Sequence, residues 1–548
     1  MSGAAAIGAA AAGSLALADD AAAAPSSPAG GTLSKDPFTL GVASGDPTSD
    51  GVVLWTRLAP EPLADDGLGG MPNRTVSVEW QVAKDERMRQ IVRKGVTQAR
   101  PEHAHSVHVE VDDLAPHRHY WYRFKAGSYV SPVARTRTAP ARDVMVSKLH
   151  LAVVSCSQYE HGFFDAYRAL AADDPDIVLH LGDYQYEYKA GEYVAPGGNV
   201  RDHEGPETVT LANYRQRHAQ YKADVDLQAA HAAAPWLVVF DDHEVDNNWA
   251  DEIPENPVDQ PTFLQRRTAA FKAYYENMPL RRTSIPNGPN IQIYRRGGWG
   301  RLATFHMMDT RQFRDDQGCG DGYQNDCPAA VDPKRSITGG EQEKWLLDGF
   351  RRSRARWDVL GQQVFFAQRD ADAGPVHRTS MDSWDGYVAS RERITSGWLD
   401  AKVRNPVVLT GDVHAHWASD LKADYDDPDS HTVGSELVCS SITSGGNGAD
   451  SIPSDHPYLT INPHLKFYNN LRGYIRTTVT PGEMSSDFRC LPYVQEQGAA
   501  AFTRATFAIE DGTPGVHQTY DRPPSTNRTL GSDRAEIERT IAWETKRP

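Results

Sequence analysis

The sequence predicts an α/β fold behind a small all-β module, and three features of its patterning carry that reading. An apolar strand (Leu149, Leu151, Val153, Val154), a helix-period stripe (Phe163, Phe164, Tyr167, Leu170) and a second apolar run (Ile177, Val178, Leu179) form a βαβ unit, which implies parallel pairing. Further strand candidates at 236–240, 301–308, 359–366, 407–409 and 437–442 alternate with helical stretches and long loops. Ahead of them, residues 76–80, 107–111 and 120–124 alternate apolar with polar, as half-buried strands do.

Taken in order, residues 1–35 read as an export signal or a disordered leader. They are Ala-rich, turn to Pro, Ser and Gly, and precede any basic residue except Lys35. Residues 36–138 read as a fibronectin- or immunoglobulin-like all-β domain with His103, His105 and His108 on a polar face. A linker at 139–147 leads to a catalytic domain at 148–511. A polar tail at 512–548 holds a short helix at 533–543. The insertions at 190–209, 315–336 and 370–385 are long enough to be functional.

The chain has 548 residues, too many for one core, and a formal net charge of −16. That charge argues against nucleic-acid backbone binding, so an anionic substrate must be held by local cations. No stretch is long and apolar enough for a transmembrane span, and a monomer is expected. Of the five cysteines, Cys319 and Cys327 flank a Gly/Asp-rich loop, and Cys439 and Cys490 make a second candidate disulfide. Cys156 is left over, in the βαβ unit itself.

Reactive groups in open α/β sheets gather beyond the C-terminal ends of strands. Cys156 follows one strand, and Asp183 and Tyr186 the next. Asp242 and His243 follow a third, and Asp412 and His414 a fourth. So much charge in one crevice calls for cations. The thiolate, phenolate and imidazole of Cys156, Tyr186 and His414 suit a trivalent transition metal. Asp242 and Asp412 suit a hard divalent ion such as Ca²⁺, Mg²⁺ or Mn²⁺, and Asp183 can bridge the two. Two ions about 3.5–4 Å apart clamp a phosphoryl group and activate a water to hydroxide for in-line attack. His243 is the candidate for positioning phosphate or protonating the leaving oxygen, with a ligand-orienting role as its alternative. Arg311 is a candidate phosphate holder, against a plain ion pair with Asp309. Asn213, with Tyr184 and Tyr188, is a candidate for shaping the substrate pocket. His416 is expected outside the ligand set.

Gly182-Asp183-x-x-Tyr186, Asp242-His243-Glu244 and Gly411-Asp412-x-His414 resemble the motifs of calcineurin-like metallophosphoesterases. Ser155-Cys156-Ser157-Gln158 and Asp241-Asp242-His243-Glu244-Val245 look like the PhoD-type alkaline phosphatase/phosphodiesterase family. So does the entrance Gly41-Val42-Ala43-Ser44-Gly45-Asp46-Pro47, and the resemblance runs from about Phe38 to Ile509. It implies a metallophosphoesterase-type β-sheet sandwich flanked by helices. It also implies an exported, phosphate-scavenging enzyme acting on mono- and diesters. Fe³⁺ would sit on Cys156, Asp183, Tyr186 and His414. One or more Ca²⁺ ions would take Asp183, Asp242, Asp412 and Asn247, with Mn²⁺ or Mg²⁺ as alternatives there. Asp242 stands where the superfamily has Asn, and Asp412 where it has His, which favours Ca²⁺. The family usually exports by a twin-arginine route, but this leader holds no twin arginine. A secreted phospholipase D, acting on phospholipids with the same site, belongs to the same group. A non-catalytic Ca²⁺-binding surface protein and a cysteine hydrolase built on Cys156 are the readings from other classes.

Overall fold

A computed structural model describes residues 33–427, 429–450 and 457–522. The Ala-rich leader and the helix expected at 533–543 lie outside these residues, apart from the leader's last three.

Two large sheets face each other across the main core. The first runs in the order His517–Asp521, Phe502–Glu510, Glu483–Cys490, Gly473–Val479, Leu149–Val154, Ile177–Leu181, Trp236–Val239, Val42–Gly45, Val52–Arg57, Ser106–Val111. The second runs Arg295–Trp299, Ala303–Met307, Trp357–Gly361, Pro406–Thr410, Thr432–Val438, His416–Lys422, Leu465–Asn469. Leu151 and Val153 pair in parallel with Ile177 and Leu179, and Leu179 with Leu237. Strands sandwiched on both faces need near-continuous apolar runs, which is why these segments carry almost no polar residue. Leu151, Leu181 and Val239 from one sheet meet Phe305, Val359 and Leu437 from the other in one core. The crossover helix, Asp165–Ala172, buries Tyr167 and Leu170.

The expected strands form, with shifted ends. The run at 359–366 is a strand only as Trp357–Gly361, and Gln362 and Gln363 then turn inward to bond loop carbonyls.

The front module is all-β as expected, but it is not walled off. Its sheet of Ile91–Ala99, Val76–Ala83, His119–Ala126 and Tyr129–Val130, with Ala134–Arg137 alongside, packs on Val42–Gly45, Val52–Arg57 and Ser106–Val111. Those last strands also continue the catalytic sheet, through Gly45 beside Trp236. The three histidines do not share one polar face: His103 is exposed, His105 bonds the Arg74 carbonyl within the module, and His108 lies at a seam between modules. His108 stacks on Tyr275 at 4.5 Å and donates to the Met278 carbonyl at 2.9 Å, and His105 is buried. The polar tail likewise begins inside the fold, because His517–Asp521 is the edge strand of the first sheet.

The insertions at 315–336 and 370–385 meet each other. Tyr323–Asn325 pairs antiparallel with Arg378–Ser380, and the Cys319–Cys327 disulfide closes the first of the two. Among the described residues no helix is long and apolar enough to cross a membrane.

Candidate metal centre and active site

The loops that follow Leu149–Val154, Ile177–Leu181, Trp236–Val239 and Pro406–Thr410 bring their side chains to one crevice. Cys156, Asp183, Asp412 and His414 each have a left-handed backbone, with φ of 61°, 56°, 62° and 55°. A non-glycine residue holds that conformation only where its surroundings impose it, and such residues cluster at functional sites. Gly182 is required for a different reason: a Cβ there would stand 2.4 Å from Asp241 Cβ. Glu244 ties the loops together. Its carboxylate accepts the backbone N–H groups of Asp183 (3.2 Å), Tyr184 (2.7 Å) and Asp241 (2.9 Å).

The ligating atoms of Cys156, Asp183 and His414 lie within 4.8 Å of one another, as do those of Asp183, Asp242 and His243. Tyr186 Oη joins the first group, donating to Asp183 Oδ2 at 2.9 Å and lying 3.2 Å from His414 Nε2, with Ser444 Oγ donating to it at 2.7 Å. Asp242, His243, Asn247 and Asp412 line a crevice of about 80 Å³ beside this cluster. A larger cavity of about 330 Å³ lies at the module seam, away from these groups.

The donor set fits cations. Burial pushes the Cys156 thiol and the Tyr186 phenol well up, and the Asp183 charge adds to both. Burial also drives the Asp183 carboxyl well up, and its buried Oδ1 meets no hydrogen-bond donor among the described residues. Such groups ionise together only beside positive charge, which a metal supplies. Burial alone would raise Asp242, but Arg311 and then His243 hold it below the usual carboxylate range. Burial opposes charge on His243, yet Glu187, Asp242 and Asp183 carry it well above an ordinary imidazole.

Other expected residues fall elsewhere. Arg311 is fully buried with its fork already taken. Nε donates to Asp241 at 2.6 Å, while Nη1 and Nη2 reach the two Asp382 oxygens at 2.7 and 2.9 Å. It is a brace between a strand end and an insertion, not a free phosphate holder, and Asp309 meets only its backbone N–H. Asn213 forms a capping box with Thr210 at the start of helix Leu211–Lys222, so its amide serves the helix end. Cys439 and Cys490 are separate buried thiols rather than a disulfide. The Cys439 thiol donates to the Val153 and Ser440 carbonyls, while Cys490 ends a strand beside Asn469. His416 stands apart as expected, accepting from Ser440 N and stacking on Phe488 at 4.7 Å. Asn247 lines the crevice and donates its amide to Glu255.

Sequence reading missed Glu187, whose Oε2 lies 2.8 Å from His243 Nδ1 and whose Oε1 accepts from Asn247 N. Its place one residue after Tyr186 was an available signal. Ser444, Asp382 and Arg369 carry no local pattern that would have singled them out.

The chain matches the family model of the PhoD-like phosphatase over residues 151–488, and that of the PhoD-like phosphatase N-terminal domain over residues 22–140. It is 52% identical to alkaline phosphatase D of Bacillus subtilis (strain 168) over 488 residues, covering 89% of this chain and 83% of the relative. A solved structure described as the structure of PhoD superposes with a TM-score of 0.90 at 50% identity. That match covers 93% of this chain and 97% of the other.

Proposed function

The chain belongs to the PhoD-like phosphatase family and is a phosphoric ester hydrolase, and from that premise we propose that it cleaves phosphate mono- and diesters as an exported, metal-dependent enzyme. The observation that supports the site is the convergence of Cys156, Asp183, Tyr186 and His414 from three separate strand ends.

Cys156, Asp183, Tyr186 and His414 would hold Fe³⁺, and Asp183, Asp242, Asp412 and Asn247 would hold Ca²⁺. When bound, the metals neutralise phosphoryl oxygens and make water a stronger nucleophile near neutral pH. Water oxygen bonds to phosphorus, the ester P–O bond opposite breaks, and the alcohol leaves with a proton. His243 lines the crevice and is turned by Glu187 through Nδ1, so Nε2 is the ring nitrogen that gives the leaving oxygen its proton. No residue becomes covalently linked to phosphorus. Membership of a hydrolase family sets aside the non-catalytic reading.

Metal analysis of the purified protein beside a panel of monoesters, diesters and phospholipids tests the proposal. Iron and calcium with cleavage of both small ester classes is the expected result. Cleavage of phospholipid alone would turn the reading to a phospholipase D, and full activity after stripping of metals would overturn it.

A further inference from the structure

Tyr186, Glu187 and Tyr188 are consecutive, and all three meet His243. The Tyr186 ring centre lies 4.1 Å from the imidazole, the Tyr188 ring 5.5 Å from it edge-on, and Glu187 Oε2 2.8 Å from Nδ1. These three residues belong to no helix or strand, so their buried backbone groups must find partners elsewhere in the fold.

Arg217, in helix Leu211–Lys222, is 1% exposed and supplies several of those partners. Its Nη1 donates to the carbonyls of Tyr186 and Tyr188, one on either side of Glu187, the second at 2.8 Å. Its Nη2 donates to the Pro206 carbonyl at 3.2 Å, which ties in the insertion at 190–209. That insertion adds two bonds of its own. Thr208 N donates to the Glu187 carbonyl at 2.8 Å, and His203 Nδ1 donates to the Tyr188 carbonyl at 2.8 Å. Burial and the Arg217 charge hold His203 well below an ordinary imidazole, so the ring is neutral and Nδ1 carries its proton. One helical turn beyond Arg217, Tyr221 Oη accepts Tyr186 N at 3.3 Å. A planar guanidinium holds two carbonyls at a set separation, which an ammonium on a flexible stem does not.

Resting on the phosphoester reading above, we infer that Arg217 is a positioning residue for proton delivery to the leaving oxygen. By pinning the backbone on both sides of Glu187, it fixes the carboxylate and the two rings that aim His243. It bonds backbone and acts through Glu187. The insertion at 190–209 closes the other side of the same clamp.

The test measures kcat and KM of the metal-containing enzyme on an alkyl phosphate ester and on a nitrophenyl ester. Arg217→Met should lower kcat on the alkyl ester by roughly 10–100-fold with KM nearly unchanged. The loss on the nitrophenyl ester, whose leaving group needs no proton, should be much smaller. Arg217→Lys keeps the charge without the fork and should recover part of the loss. Visible absorption gives a readout apart from turnover: the band of a Tyr186 phenolate on Fe³⁺ should shift in Arg217→Met while iron content is kept. In a Glu187→Gln background, Arg217→Met should cost little more, because both changes act on one imidazole. His203→Phe keeps a ring against Tyr159 but withdraws one donor from Tyr188. It serves if the Arg217 variants fail to fold, and it should show the same selectivity at smaller size. Equal losses on the two esters, or additive losses in the double variant, overturn the inference. A wild-type protein that cleaves no phosphate ester instead overturns the reading on which it rests.

Discussion

His243 Nδ1 lies 2.8 Å from Glu187 Oε2, and both side chains are buried. The bond fixes the ring's orientation, and the same carboxylate accepts Asn247 N, so one side chain positions both the imidazole and the Asn247 loop. Glu187→Gln keeps the size but loses the charge. It should lower kcat by roughly 10–100-fold with metal content retained. His243→Asn should cost more, on the order of 10²–10⁴-fold for slow-leaving alcohols, and much less for a nitrophenolate that needs no proton. Equal losses on both leaving groups would remove His243 from the proton-donating role.

Tyr186 Oη bonds Asp183 Oδ2 and neighbours His414, so its phenol sits among the candidate iron ligands. A phenolate on Fe³⁺ gives visible charge-transfer absorption. Tyr186→Phe should therefore abolish the colour and lower iron content, with little change in the fold because the ring still packs 4.1 Å from His243. Chelation of the wild-type enzyme should remove activity and colour together, whereas thiol alkylation should leave activity intact, since Cys156 is buried. Colour that survives in Tyr186→Phe would take the phenol off the metal.

How much of this was legible beforehand follows physical range. The βαβ unit and the strand-end carboxylates are local patterns, and Cys156, Asp183, Asp242 and His414 were readable because each follows an apolar run by one or a few residues. Arg311 was misread because its three-residue Asp-Thr-Arg context resembles a substrate clamp, while its true partners lie 70 and 71 positions away. Asn213 was misread because a capping amide and a pocket amide look alike in sequence. The histidine seam at His108 was invisible because strand alternation reports that a face is polar, not whether another module covers it. Pairing of Cys439 with Cys490 was arithmetic on counts, and cysteine counts carry no distance.

Arg311 gives a stability prediction that separates its two readings. It braces Asp241 and Asp382 in a buried network, and Arg314 holds Asp382 from the other side at 2.8 Å. Removing one partner of a buried ion pair leaves the remaining charge without compensation, which costs about 3–5 kcal/mol. Arg311→Met should therefore lower the urea midpoint strongly. An unchanged midpoint with weakened phosphate binding would return Arg311 to the role that its sequence context suggested.

His180 offers a pH prediction whose sign can be worked through. It is buried in the first sheet, bonded to Tyr167 Oη at 3.2 Å and stacked near Trp236. Burial, reinforced by Lys222, depresses it to about 3. In the unfolded chain the imidazole titrates near 6.5, so below that pH the unfolded state takes up a proton that the folded state refuses. The stability this group contributes is present above 6.5 and is lost as pH falls from there toward 3. Between pH 7 and 5 the loss is about 2 kcal/mol. Glu436 works in the opposite sense. Burial raises it to about 7, so the folded state keeps a proton that the unfolded state releases, and its term falls as pH rises from 4.5 to 7. The wild-type profile therefore mixes both signs, and the informative quantity is the difference between wild type and His180→Gln. That difference in unfolding free energy should shrink by about 2 kcal/mol on going from pH 7 to pH 5, measured by urea denaturation at each pH. A difference that stays constant across this window would mean that His180 takes up its proton inside the fold as readily as in the unfolded chain.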